Sequence, residues 1–140
     1  MCTLAIFVGQ LPGLPLVIAA NRDEFLDRNA TGPALLATAP RVVGGRDLQA
    51  GGTWLAISEP GTVAGVLNRR TGALPLASKR SRGELPMMAL AAGSAAAAAP
   101  RIRALDGKAY NAFNLLVADR DEAWVAQNHA DGMRLTPLER

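Results

Sequence analysis

The sole cysteine is Cys2, directly behind the initiator and at the head of the apolar run "TLAIFV". Removal of Met1, which a side chain as small as cysteine permits, would leave one residue with both a thiol and a free α-amino group. Such groups ordinarily titrate at roughly 8.5 and roughly 7.7–8.0. The amine can therefore act as general base for its own thiol, directly or through a water. A nucleophile at the start of a buried strand is also rigidly aimed. The competing reading is a small, inert hydrophobe beside that strand.

Three further residues belong to the same chemistry. "ANRDEF" places Arg22 and Asp23 at the end of a second apolar run, "LVIAA". If the two runs form a hairpin, that end lies beside Cys2. A guanidinium near a thiol favours the thiolate, and a carboxylate can orient the α-amine. The alternative is a solvated turn in which Arg22 and Asp23 only pair with each other. Asn68 closes "VAGVLN", where its amide suits a developing oxyanion. An asparagine there also serves as an ordinary turn residue before Arg69-Arg70.

The elements that must hold these residues are mostly strands. Thr3–Val8 and Leu16–Ala20 flank "GQLPGLP", an antiparallel hairpin signal, and both runs are apolar enough to expect cover on both faces. Residues 29–52 read as loop with one short strand at Val42-Val43. "TWLAIS" and "VAGVLN" form a second hairpin about the turn "EPGT". A basic loop, residues 69–83, leads into one helix, N-capped by Ser81 with Glu84 at capping-box spacing and ended by Pro100. A short second helix would then span residues 101–105. "FNLLVAD" and "EAWVAQN" make a third hairpin, and "MRLTPL" a last short strand or a tail. This order is α+β with antiparallel sheets and a flanking helix, not alternating β-α units.

Composition bounds the rest. The 140 residues suit one domain, and 49% hydrophobic with 19% charged indicates a packed core. The net charge of +3 tolerates an anionic ligand without demanding nucleic acid, and 4% aromatics weakens a base-stacking role. One cysteine excludes an internal disulfide and a cysteine-cluster metal site. Pro12 and Pro15 interrupt any signal-peptide core, and no run approaches the roughly 18 apolar residues of a membrane span, so a cytoplasmic protein is expected. The abrupt end after an edge-like strand suggests the N-terminal portion of a larger single domain, or a naturally short version of it. His129, the single histidine, reads as a surface residue near a turn or, less simply, as an axial haem ligand. The glycine pairs 44-45 and 51-52 spell no nucleotide fingerprint and suit close backbone approach before Trp54. The basic stretch Arg69–Arg82 could clamp carboxylates or phosphates, or be a solvated loop.

"MCTLAIF", "PLVIAANRDEFLDR", "VVGGRDLQAGGTWLAIS", "GVLNRR", "SRGEL" and "AFNLLVAD", in that order, resemble the NRDE family, also called the transport and Golgi organisation family. That family in turn resembles N-terminal-nucleophile hydrolases of the choloylglycine hydrolase and penicillin acylase kind. The resemblance implies an incomplete N-terminal-nucleophile-hydrolase-like fold. Cys2 would be the nucleophile, Arg22 and Asp23 its activators, and Asn68 an oxyanion donor. In those hydrolases the Arg and Asp are separated; here they are adjacent, so both side chains cannot face one side of a strand without a bulge. Two functions follow. One is a cysteine amidohydrolase acting on a small acylated substrate, with no cofactor. The other is a non-catalytic binding or trafficking protein for haem or an acyl-CoA-like anion, ligands implied by what eukaryotic relatives are linked to.

Overall fold

A computed structural model describes residues 2–139. Its first element is a hairpin of β1 (Thr3–Leu11) and β2 (Leu14–Asn21), antiparallel, with Thr3 opposite Asn21 and Phe7 opposite Val17. The hairpin is a sheet of its own. A second sheet holds seven antiparallel strands in chain order: β3 (Ala30–Thr38), β4 (Arg41–Asp47), β5 (Leu55–Ser58), β6 (Val63–Asn68), β7 (Phe113–Ala118), β8 (Ala123–His129) and β9 (Gly132–Pro137). Two helices, α1 (Glu84–Leu90) and α2 (Ala95–Arg103), interrupt this meander between β6 and β7. The α+β class and the antiparallel pairing agree with the sequence reading.

Period-two alternation splits the large sheet into two faces. Leu115 and Val117 point with Ala56 and Ala64 into a core closed by Leu85, Ala89 and Leu90 of α1 and Ala98 and Ile102 of α2. Helix α2 buries Ala95, Ala98, Ala99 and Ile102, the spacing of one helical face. Its alanines let the helix lie close to the sheet. On the other face Leu116, Ala118 and Ala123 meet Leu4, Ile6, Val8, Leu16 and Ile18 of the hairpin. The result is three layers: helices, large sheet, hairpin.

Several expectations change. The hairpin is covered on one face only: Phe7, Leu11 and Leu14 stand 44–52% exposed, because no further layer packs on them here. Residues 29–52 hold two strands rather than one short one. Pro33 is tolerated because β3 is an edge strand with an irregular register beside it. Gly44 and Gly45 belong to β4 and not to a loop.

The single helix is two. Gly93, at φ +87°, turns the chain out of helical geometry. Ser94 then caps α2, its hydroxyl oxygen accepting the Ala97 N–H at 3.1 Å. Asp119 accepts the Ala95 N–H at 2.8 Å. Pro100 lies inside α2 instead of ending α1. Ala96 and Pro100 are both exposed, so water can serve the carbonyl that the proline leaves without a donor. Nor does Ser81 form a capping box. The cap position of α1 is Gly83, whose N–H is bonded to the Ser81 hydroxyl at 3.2 Å, while Glu84 turns to Arg80 and Tyr110.

Candidate functional site

The hairpin register sets the site. With Thr3 opposite Asn21, the residue before β1 and the residues after β2 must meet. The Asp23 N–H donates to Cys2 Sγ at 3.3 Å, and the Cys2 thiol lies 3.4 Å from the Asp23 carbonyl, which can accept its proton. The two contacts hold the sulfur in place. Asp23 thus reaches Cys2 through its main chain, and its carboxylate is not among the lining of the cavity onto which Cys2 opens. Adjacent residues diverge as expected. Arg22 sends its guanidinium into that cavity, centred 4.6 Å from the Trp54 ring.

That cavity, about 470 Å³, is lined by Cys2, Arg22 and Asn68 together. Asn68 arrives from the far side, as the last residue of β6. The perch for Arg22 depends on Gly45. A Cβ there would lie 2.3 Å from Trp54 Cη2, so only glycine lets the indole settle on β4. Trp54 also lines a second, largely apolar cavity of about 630 Å³ between Pro15, Leu16 and Ile18 of β2 and Val43 and Ile57 of the sheet. The indole is therefore a partition between a polar chamber and an apolar one.

Electrostatics of the polar chamber are cationic. Five cationic side chains, Arg22, Arg28, Lys79, Arg80 and Arg82, face it against Glu24 and Asp47. Arg28 is neutralised by Asp47 at 2.8 Å and Glu24 at 3.5 Å, and Arg80 by Glu84 at 2.7 Å. Burial pushes the Asp47 carboxyl up, but the Ala50 N–H, the Arg28 guanidinium and the Gln49 N–H outweigh it and hold the group below the ordinary carboxylate range. Burial lowers the Arg82 guanidinium, the nearby Arg28 charge lowers it further, and Glu24 opposes both. Burial raises the Tyr110 hydroxyl to about 12, with its bond to Glu84 next in effect.

Arg82 was not singled out by sequence reasoning, which left the basic stretch undecided. A solvated run and a run folded inward look alike in composition. What folds it inward is a backbone contact between two loops. The Thr53 N–H bonds the Gly83 carbonyl at 2.9 Å, and a Cβ on Gly52 (φ +74°) would lie 2.3 Å from that oxygen. "AGGTW" and "SRGE" are thus docked together, and the pairing of glycines across the contact was the available signal. His129 lines neither cavity, and its Nε2 is buried without a partner. Among the described residues no cluster of three His, Cys, Asp or Glu side chains is placed to hold a metal ion. Among them too, no helix is long and apolar enough to cross a membrane. Met1, on whose removal a free Cys2 amine depends, lies outside the described residues.

Comparison with known proteins adds a family. Residues 1–138 match the family model described as Transport and Golgi organisation 2. The chain is 36% identical over 107 residues to a Transport and Golgi organization protein 2 homolog of Bos taurus, covering 74% of this chain and 38% of that protein. The Homo sapiens homolog is 33% identical over 111 residues, 77% and 40% of the two chains. Transport and Golgi organization protein 2 of Drosophila melanogaster is 43% identical over 63 residues, 41% and 22%. The chain spans about two-fifths of the length of the first two relatives.

Proposed function

The chain belongs to the Transport and Golgi organisation 2 family, and from that premise we propose that it carries the nucleophile half of a cysteine amidohydrolase of the N-terminal-nucleophile type, acting on a small acylated and anionic substrate. The observation that carries this reading is the convergence of Cys2, Arg22 and Asn68 on one cavity from three different strand ends. Packing alone gives no reason for a thiol, a guanidinium and an amide to share a polar chamber.

The chemistry runs as follows. Once Met1 is removed, the α-amine of Cys2 takes the thiol proton, and the sulfur attacks the acyl carbon. The carbonyl becomes an oxyanion, held by the Asn68 side-chain N–H. Collapse breaks the C–N bond, the amine leaves with the proton from the Cys2 ammonium, and a thioester remains on Cys2. Water, deprotonated by the same α-amine, attacks the thioester and releases the acid and the thiol. Arg22 supplies positive charge to the same chamber, and the Asp23 main chain fixes the position of the sulfur.

The second reading, a non-catalytic carrier of haem or an acyl-CoA-like anion, draws support from the cationic chamber with an apolar one across Trp54. One experiment separates them. The protein is incubated with a panel of acyl amides, amine release is followed by mass spectrometry, and hemin is titrated in parallel by absorbance. Amine release by the wild type that Cys2→Ala abolishes is the expected result. Stoichiometric hemin binding, unaffected by Cys2→Ala and without turnover, would replace the hydrolase with the carrier.

A further inference from the structure

Behind the polar chamber lies a third cavity of about 190 Å³, bounded by the loop residues 71–76 and containing Arg69 and Arg82. Pro75, Leu76, Arg82 and Asn111 line both spaces, so the two adjoin along a common wall. No Asp or Glu stands among the described residues lining the smaller one. Each arginine spends one N–H on a main-chain carbonyl: Arg82 Nη1 on Ala112 at 3.2 Å, and Arg69 Nη2 on Asn128. That fixes the two guanidinium groups and leaves further donors free. Arg69 Nε is buried with no partner at all, an orphan that a folded protein ordinarily satisfies. Asn111 closes the loop side, accepting the Leu76 N–H and donating to the Leu76 carbonyl, both at 2.9 Å.

We propose that the cavity between Arg69 and Arg82 is an anion subsite that receives the carboxylate or phosphate of the ligand whose remainder occupies the Cys2 chamber. Guanidinium groups present planar, forked donors that match carboxylate and phosphate oxygens, and no carboxylate lines this cavity to compete for them. The space is large enough for one such group and a few waters, at about 30 Å³ per water. Taken with the amidohydrolase reading, on which this last step rests, the substrate is an acyl amide that carries a carboxylate or phosphate. The anion site itself does not depend on Cys2 being catalytic.

The single cysteine makes the test direct. Cys2 is alkylated with anionic iodoacetate and with neutral iodoacetamide at fixed ionic strength, in the wild type, Arg69→Gln and Arg82→Gln, and the ratio of the two rates is read. The site predicts a ratio that falls about tenfold in Arg82→Gln, the lower end of what a focused cationic cleft contributes, and a smaller fall in Arg69→Gln. Inorganic phosphate and acetate are then added as competitors. Saturable protection of the wild type against iodoacetate, absent in Arg82→Gln, supports the site. Stronger protection by phosphate identifies a phosphate ligand, and equal protection a carboxylate. Should Arg82→Gln fail to fold by circular dichroism, Arg82→Lys keeps the charge without the fork and is expected to hold an intermediate ratio. A ratio unchanged in both arginine variants, or protection equal in wild type and variants, overturns the proposal. Amide cleavage with an Arg82-independent ratio removes the anion site alone. An Arg82-dependent ratio without cleavage removes the hydrolase and leaves the anion site.

Discussion

At the scale of single residues, the site depends on what three strands bring to their ends. Cys2, Arg22 and Asn68 could be picked out of the sequence because each stands at a strand terminus, where hairpin geometry alone decides the neighbours. The contact of the Asp23 main-chain N–H with the sulfur could not, because no pattern of residue types encodes it. Asn68→Ala is expected to lower turnover of an acyl amide by about 10²–10³ while Cys2 alkylation persists, since an oxyanion donor acts only after the thiolate has attacked. Equal losses in both would make Asn68 a structural residue. Gly45→Ala places a Cβ 2.3 Å from the Trp54 ring, on the rigid end of an indole, so the ring must move. The expected cost is about 1–3 kcal/mol in a denaturation curve, with loss of the Arg22 stacking contact.

Elements were less evenly legible. Strands β1, β2, β5, β6, β7 and β8 follow from apolar runs and turn residues. Strand β3 does not, and β4 shows only its Val42-Val43 segment, because Pro33, Pro40, Gly44 and Gly45 imitate loop composition. The helical region shows the reverse error. A run of alanines advertises propensity so strongly that it masks the break at Gly93, though Ser94 directly after it is a proper cap. Ser94→Ala should therefore destabilise by about 1 kcal/mol, read from the thermal midpoint. Asp119 fixes the same helix start from across the core, accepting the N–H groups of Ala95, Asp121 and Glu122 at 2.8–3.1 Å. Asp119→Asn keeps the shape but loses the charge. A loss of about 1.5–3 kcal/mol is expected, the range for hydrogen bonds to a charged group. An unchanged midpoint in both variants would show that α2 is held by its buried alanines and Ile102 alone.

For the whole molecule, the two-sided burial of the large sheet explains why its central strands read as continuous apolar runs. The exposed outer face of the hairpin shows the limit of that logic: an apolar run predicts that a face can be covered, not which chain covers it. Two buried-side carboxylates give the fold an acid limit. Burial pushes Asp119 up, but its three backbone donors hold it below the ordinary range, and Asp47 is likewise held low against burial. A carboxyl depressed in the folded state adds stability that is complete above its unfolded value of about 3.9 and disappears as pH falls through the folded value. Stability should thus be level above about pH 5 and decline below about pH 4, and Asp119→Asn should flatten part of that decline in acid-titrated denaturation curves. A decline unchanged in Asp119→Asn would assign it to other groups. The central claim, that Cys2 is an N-terminal nucleophile, is tested most directly by intact-mass spectrometry of the protein after brief exposure to an activated acyl ester. The expected spectrum has lost Met1 and gained one acyl group, mapped to Cys2 as a hydroxylamine-labile thioester and absent from Cys2→Ala. A spectrum that retains Met1 and gains no acyl group would contradict it.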